Sequence, residues 1–269
     1  MKTSRKGGRR MTNEIQVERR GSLATVTFNR PEKHNAFTIG MYSEFGDTMR
    51  SLSEDDAVRC ILVRGAGDRA FCAGSDIGEF GGGRMGAAQA REYAEKTSGP
   101  FRHLYGCRHP TVAAIRGICV GGGLELAIMC DIRICSPDSR FGIPPNRLGL
   151  TLDFAELSVL CEVVGRSKAL EILLEGRIFG ADEALQLGLV SRVVEPEKFD
   201  EEVGRTVDRI LAAAPLSNRW HKAFVRRLAD PAPLSEEELG EAYLCYDTQD
   251  YLEGTAAFNE KRSPVFVGR

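Results

Sequence analysis

The chain has 269 residues, of which 42% are hydrophobic and 28% are charged, and its formal net charge is −2. This length allows one large domain with a packed core, or a large domain with a smaller one. The balanced charge argues against a nucleic-acid partner, and no apolar run approaches the roughly 20 residues of a membrane span or resembles a signal-peptide core.

Eight cysteines are scattered among apolar neighbours, with no CxxC pair and no histidines at zinc-ligand spacing. This distribution indicates reduced, mostly buried thiols in a cytoplasmic protein and no metal site. The G-x-G-x-x-G phosphate loop is also absent, so we expect no flavin or nicotinamide cofactor.

The N-terminal part predicts a tail, a hairpin and a helix. Residues 1–11 are mostly basic and lack apolar periodicity, which predicts a disordered tail or, alternatively, a polybasic contact site. Ile15–Arg20 and Leu23–Asn29 alternate around a Gly-Ser pair, which is typical of a β-hairpin. Thr38 can cap a helix over Ile39–Leu52.

The next segment predicts a strand, a turn and a long helix. Cys60–Gly65 reads as a buried strand, and Phe71–Ile77 as a turn into a short helix. Residues 81–91 are rich in glycine and alanine and predict a mobile loop before a helix over Ala87–Arg108. Such a loop either covers a pocket or is a plain connection.

Residues 111–135 carry the local pattern around which the chain is organised. Strand Thr111–Ile115 is followed by three glycines, an apolar helix over Leu124–Cys130 and a second strand, Ile132–Cys135. Glycines at a strand-to-helix junction let the backbone approach a ligand closely, because no Cβ intervenes. The free N–H groups of a helix start would stabilise an oxygen that gains negative charge there.

Glu125 is the carboxylate in the first turn of this helix. The helix N-terminus favours its charged form by roughly 0.3–1 kcal/mol, whereas burial can raise the pKa of a carboxyl by about 3–5. In a dry site burial prevails, and Glu125 becomes an acid or base near neutral pH. The alternative is a solvated first-turn glutamate.

The C-terminal half alternates short elements and then becomes helical. The pattern predicts a strand at Arg140–Ile143, helices at Phe154–Val164, Ser167–Glu175 and Ala181–Leu187, and a strand over residues 188–194. From Phe199 onward it predicts helices broken by prolines. The alternation indicates an α/β fold with a helical C-terminal part.

Four stretches together resemble a known family. They are NRPEKHNAF at 29–37, FCAGSDI at 71–77, GICVGGGLELAIMCDIRIC at 117–135 and EGTAAFNEKRSPVF at 253–266. Through them residues 13–269 resemble the crotonase superfamily, the enoyl-CoA hydratase/isomerase group. The resemblance implies a spiral of ββα units over 12–198 and a helical oligomerisation region over 199–269, in a homotrimer or a dimer of trimers.

The resemblance also implies an acyl-CoA thioester as substrate and no further cofactor. Family members stabilise a thioester enolate with two backbone N–H groups, which by motif are those of Ser75 and Gly122. For Ser75 the alternative is a simple helix cap. The remaining positions that the resemblance assigns to CoA and substrate contacts are Lys33, Ala36, Ala73, Gly74, Asp76, Ile77, Gly78, Gly121, Phe258 and Lys261. Phe258 and Lys261 would act from a neighbouring subunit, or are simply solvated.

One departure from the family concerns the second carboxylate. Typical hydratases use two glutamates to hold and split water; the first matches Glu125, whereas the position of the second is Pro145. Asp153, eight residues later, resembles the catalytic aspartate of some isomerases of the family, with an N-cap as the alternative. Glu156 is expected to be a first-turn surface residue.

These features leave three hypotheses for the function. The leading one is double-bond isomerisation of an enoyl-CoA, with Glu125 and Asp153 as acid and base. The second is an atypical hydratase using the same two carboxylates. The third is a catalytically silent protein that still binds acyl-CoA.

Overall fold

The computed structural model describes residues 14–78 and 86–269. The predicted N-terminal tail and residues 81–85 of the predicted mobile loop lie outside these ranges. The strands are β1 (Ile15–Arg20), β2 (Leu23–Phe28), β3 (Cys60–Gly65), β4 (Ala70–Cys72), β5 (Thr111–Ile115), β6 (Ile118–Val120), β7 (Ile132–Cys135), β8 (Arg140–Gly142), β9 (Phe179–Gly180) and β10 (Arg192–Val193). The α-helices are α1 (Ile39–Glu54), α2 (Ala87–Tyr105), α3 (Gly122–Ile128), α4 (Phe154–Glu175), α5 (Ala181–Gln186), α6 (Pro196–Leu211), α7 (Pro215–Arg227), α8 (Glu236–Glu241) and α9 (Gln249–Glu260).

The strands form two sheets whose order follows a spiral of the chain. The larger sheet has the order β1-β2-β3-β5-β7-β10, and the smaller has the order β4-β6-β8-β9. The β1–β2 hairpin and the β8–β9 pair are antiparallel, while the other pairs are parallel. Because successive strands such as β3, β4 and β5 alternate between the sheets, the turns after β4 and β6 fall next to each other.

The main core fills the space between the sheets and the helices. Phe28 contacts Phe37, Phe45 and Phe71 edge-on, with ring centroids 4.8, 5.6 and 5.4 Å apart. All four rings are buried. Such aromatic pairs contribute about 0.5–1.5 kcal/mol each beyond their buried area. The cluster holds α1, the chain just before it and β4 in fixed positions next to β2.

The C-terminal helices are attached to the core through charged side chains. Lys222 on α7 donates to the backbone oxygen of His109 at 2.7 Å and to the Asp131 carboxylate at 2.5 Å. The chain end folds back on α9, where buried Asp250 accepts from the Val267 N–H at 2.7 Å. In the part of the chain that the structure describes, no helix is both long and apolar enough to cross a membrane.

Most predicted elements are present, with shifted ends. Helix α2 ends at Tyr105 instead of Arg108. The predicted strand over 188–194 shrinks to β10, because the N–H groups of Leu189 and Val190 bond to the Ala184 oxygen and close α5. The two helices predicted after residue 154 form α4, which is kinked at Gly165 with φ +76°. All eight cysteines are free thiols.

Candidate active site

The turn after β4 is fixed by backbone pairing with the chain before α1. Phe37 donates its N–H to the Gly74 oxygen at 2.8 Å and accepts from the Asp76 N–H at 2.8 Å. Phe37 and Ser75 therefore form a parallel bridge. In this register the N–H of Ser75 lies on the opposite side of its strand from Phe37.

The glycine turn before α3 meets this segment directly. A Cβ on Gly74, where φ is +91°, would lie 3.0 Å from the Gly122 nitrogen. A Cβ on Gly122 would lie 3.7 Å from the Ser75 nitrogen. Gly122 is the first residue of α3, where amides have no acceptor within the helix. The structure thus brings the two amides predicted from the motifs to one place.

Tyr42 borders the same junction from α1. Its side chain is 3% exposed, and its hydroxyl lies 2.8 Å from the Ser75 hydroxyl in a hydrogen bond. The hydroxyl would also lie 3.3 Å from a Cβ on Gly122. Burial raises the pKa of Tyr42 well above its usual value, so the phenol stays protonated. Tyr42 lies within the helix predicted over Ile39–Leu52, but the sequence indicated no role for it.

Glu125 lies in the first turn of α3, three residues after Gly122. Burial, and to a smaller extent the like charge of Glu156, raise the pKa of its carboxyl to about 8. Of the two opposing effects weighed from the sequence, burial prevails over the helix N-terminus. A carboxyl with this pKa can both accept and return a proton near neutral pH.

Glu156 is the carboxylate that the sequence analysis misplaced. It is 4% exposed, so the prediction of a surface residue is wrong. Its position in the first turn of α4, after an N-cap, resembles a solvated helix start. The burial comes instead from tertiary packing, because α3 packs against both α2 and α4. This burial raises the pKa of the Glu156 carboxyl above its usual value.

Asp153 and Pro145 lie at the start of α4 and shortly before it. Asp153 is exposed and is the N-cap of α4, where its Oδ1 accepts from the Phe154 N–H at 2.6 Å. This is the alternative that the sequence left open for Asp153. Pro145 begins a one-turn 3₁₀ helix over Pro145–Leu148. The position of the usual second glutamate therefore carries no acid or base.

The residues predicted to line the CoA entry also come together. The Ala73 N–H donates to the His34 oxygen at 3.0 Å. Arg30 donates to the Ala36 oxygen at 2.6 Å and pairs with the Asp76 carboxylate at 3.1 Å. The segment after Lys33 is thereby tied to the segment 73–78, which contains Ile77 and Gly78.

The two predicted contacts near the C-terminus lie in the helical part. Phe258 on α9 is 84% exposed and borders a cavity of about 520 Å³, while Lys261 caps the end of α9. Gly121, by contrast, precedes α3 with φ +54° and belongs to the junction. Within residues 14–78 and 86–269, no group of three or more metal-ligating side chains clusters at a single point.

The mixed α/β spiral thus places two adjoining glycine turns beside a carboxyl with a raised pKa. The profile of the enoyl-CoA hydratase/isomerase family matches residues 18–269. The chain is 35% identical to a crotonyl-CoA hydratase of Syntrophomonas wolfei, over 95% of this chain and 98% of the relative. It is 32% identical to a short-chain-enoyl-CoA hydratase of Clostridium acetobutylicum, over 93% and 96%.

Solved structures agree with this assignment. An enoyl-CoA hydratase/carnithine racemase from Magnetospirillum magneticum matches with a TM-score of 0.94 and 47% identity, over 96% of this chain and 97% of that one. An enoyl-CoA hydratase from Bacillus anthracis matches with a TM-score of 0.87 and 28% identity, over 95% and 100%. The chain belongs to the enoyl-CoA hydratase/isomerase family, within the crotonase superfamily, and is an enzyme with the crotonase fold.

Proposed function

We propose that the protein moves the double bond of an enoyl-CoA thioester through an enolate. The observation that carries this proposal is the junction of two turns, where the amides of Ser75 and Gly122 lie side by side. Glu125 follows Gly122 by three residues in the first turn of α3. Paired backbone donors of this kind stabilise charge that develops on a thioester oxygen.

The proton transfer needs only one carboxyl. Starting from a 3-enoyl-CoA, the ionised Glu125 takes a proton from the carbon next to the thioester, and the electron pair moves to the thioester oxygen. The amides of Ser75 and Gly122 donate to that oxygen. Glu125 then returns the proton to the γ-carbon, and the double bond re-forms next to the thioester. No water is consumed, so this route fits a site with Pro145 at the second glutamate position.

In this proposal CoA binds to two segments that Arg30 links, the loop that contains Ala36 and the turn that contains Asp76. Lys33 and Ala36 line the entry, and Ala73, Gly74, Asp76, Ile77, Gly78 and Gly121 lie along the pantetheine and thioester. Phe258 and Lys261 contact the nucleotide end of CoA from a neighbouring subunit. The exposure of Phe258 in the single chain supports this arrangement.

Hydration is the second candidate. The relatives from S. wolfei and C. acetobutylicum both carry hydratase names. The buried carboxyl of Glu156 offers a second acid or base at the site, although not at the position usual for the family. In this candidate, water would add across the double bond of a 2-enoyl-CoA.

The test supplies the purified protein with a 3-enoyl-CoA and, separately, a 2-enoyl-CoA in ¹⁸O-labelled water. We expect conversion of the 3-enoyl-CoA to its conjugated isomer without incorporation of ¹⁸O. A labelled hydroxyacyl-CoA as the only product would instead establish the hydratase. Thioester binding without any turnover would identify a silent binding protein.

The matched variant is Glu125→Gln, which keeps the shape of the side chain and removes the base. General acid–base catalysis contributes about 10²–10⁴ in rate, so we expect a loss of kcat of that size with KM retained. Glu201→Gln, an exposed glutamate on α6, serves as the control. Equal turnover of the Glu125→Gln variant and the wild type would contradict the proposal.

A further inference from the structure

The site contains a buried carboxyl that the proposed reaction does not use. Glu156 is 4% exposed, and its Oε2 has no hydrogen-bond partner among the described residues. A buried carboxyl oxygen without a hydrogen-bond partner lowers stability, because the loss of its water contacts is not compensated. Burial raises the pKa of this carboxyl above its usual value, and Ser98 on α2 offsets that rise in part.

Helix packing encloses Glu156. Helix α3 packs against both α2 and α4. Glu125 lies at the start of α3, and Glu156 at the start of α4. Burial is the main cause of the raised pKa of Glu125, and the like charge of Glu156 is the second cause.

Other ionisable groups around the pair differ in their effect. Tyr42 and Cys72 face Glu125, but burial raises the pKa of each above its usual value, so both stay neutral. Burial raises the pKa of Glu156 most; Asp153 raises it as well, whereas Arg102 lowers it by less. Glu156 is therefore the one side chain whose charge raises the pKa of Glu125 in the described surroundings.

We propose that Glu156 is a positioning residue for the proton-transfer reaction, its buried carboxylate setting how readily Glu125 accepts and returns the substrate proton. The inference rests on the proposed function of Glu125. Glu156 would then be the second carboxylate of the site, which the resemblance placed at the position of Pro145 or at Asp153.

The test is Glu156→Gln, which keeps the volume of the side chain but removes the charge. Without the repulsion the ionised form of Glu125 becomes less costly, so its pKa falls. We expect the inflection of the kcat/KM–pH profile to move acidward by about half a pH unit or more. The plateau at high pH should fall about two- to tenfold, because a base with a lower pKa is weaker.

Three further variants separate this role from a structural one. Glu156→Asp keeps the charge and should leave the inflection near its wild-type position. Glu162→Gln removes an exposed carboxyl from the same helix and should not move it. An inflection that stays at the wild-type pH in Glu156→Gln overturns the proposal. A shift of equal size in Asp153→Asn would transfer the role to Asp153 and overturn it as well.

A second readout does not need turnover. A ¹³C NMR titration of the Glu125 carboxyl, compared between the wild type and Glu156→Gln, measures the same displacement directly. An acidward shift in this titration supports the proposal even if neither enoyl-CoA is turned over, in which case only the proposed function fails. If the wild type is active and the Glu125 titration is the same in Glu156→Gln, the proposed role of Glu156 is wrong, whereas the proposed function is unaffected.

Discussion

Gly122 and Gly123 are adjacent glycines in α3 whose missing side chains serve different purposes. A Cβ on Gly122 would enter the junction, 3.3 Å from the Tyr42 hydroxyl and 3.7 Å from the Ser75 nitrogen. A Cβ on Gly123 would lie 2.0 Å from the Cys72 oxygen, which belongs to β4. The first substitution fills the proposed oxyanion site, and the second pushes α3 off the sheet.

We therefore expect Gly122→Ala to reduce kcat by about 10²-fold or more, with a free energy of unfolding within about 1 kcal/mol of the wild type. Gly123→Ala should lower the free energy of unfolding by several kcal/mol. Steady-state kinetics and urea denaturation of both variants provide the measurements. A Gly122→Ala variant with full activity would show that no oxygen of the substrate lies at this junction.

At the residue scale, local pattern located one carboxylate of the site and missed the other. Glu125 was found because a glycine turn and apolar neighbours surround it in the sequence. Glu156 has the spacing of a solvated helix start, and only the approach of α2 and α3 buries it. The hydrogen bond of Tyr42 to Ser75 is similarly non-local, since 33 positions separate the two residues.

At the scale of elements, the start of α4 depends on Asp153. Its carboxylate accepts from the Phe154 N–H at 2.6 Å. We expect Asp153→Ala to lower the free energy of unfolding by about 1 kcal/mol, and Asp153→Asn to recover most of that loss, because asparagine caps about as well as aspartate. Thermal or urea denaturation measures both effects. A loss of turnover of about 10²-fold in a stable Asp153→Asn variant would return Asp153 to proton transfer.

The same scale shows which elements a sequence can predict. Long amphipathic or β-branched segments such as α1 and β5 were found with shifts of at most two residues at their ends. β6 and β9 have three and two residues, too few to show a period, and they exist because β4 and β8 pair with them. The meeting of the Gly74 and Gly122 turns follows from that pairing, so the family resemblance was needed to anticipate it.

At the scale of the whole molecule, the C-terminal part exposes apolar side chains that a monomer would leave in water. Leu252 is 65% exposed, Phe258 84%, Tyr243 70% and Val265 72%. Patches of this kind mark interaction surfaces. Together with the family resemblance, they lead us to propose assembly into a trimer or a dimer of trimers through this region.

The assembly predicts a mass in solution of three or six times the chain mass of 29.5 kDa. Light scattering coupled to size exclusion measures this mass. Leu252→Asp places a charge in the proposed interface and should shift the mass toward that of a monomer.

If Phe258 and Lys261 contact CoA from a neighbouring subunit, the same variant should also raise KM about tenfold or more while α9 remains folded. Val17→Asp, at a 45% exposed position on the edge strand β1, is the control and should change neither quantity. A wild-type monomer with full activity would contradict the trimer and place the nucleotide end of CoA within one chain, because no second subunit would then exist to supply α9.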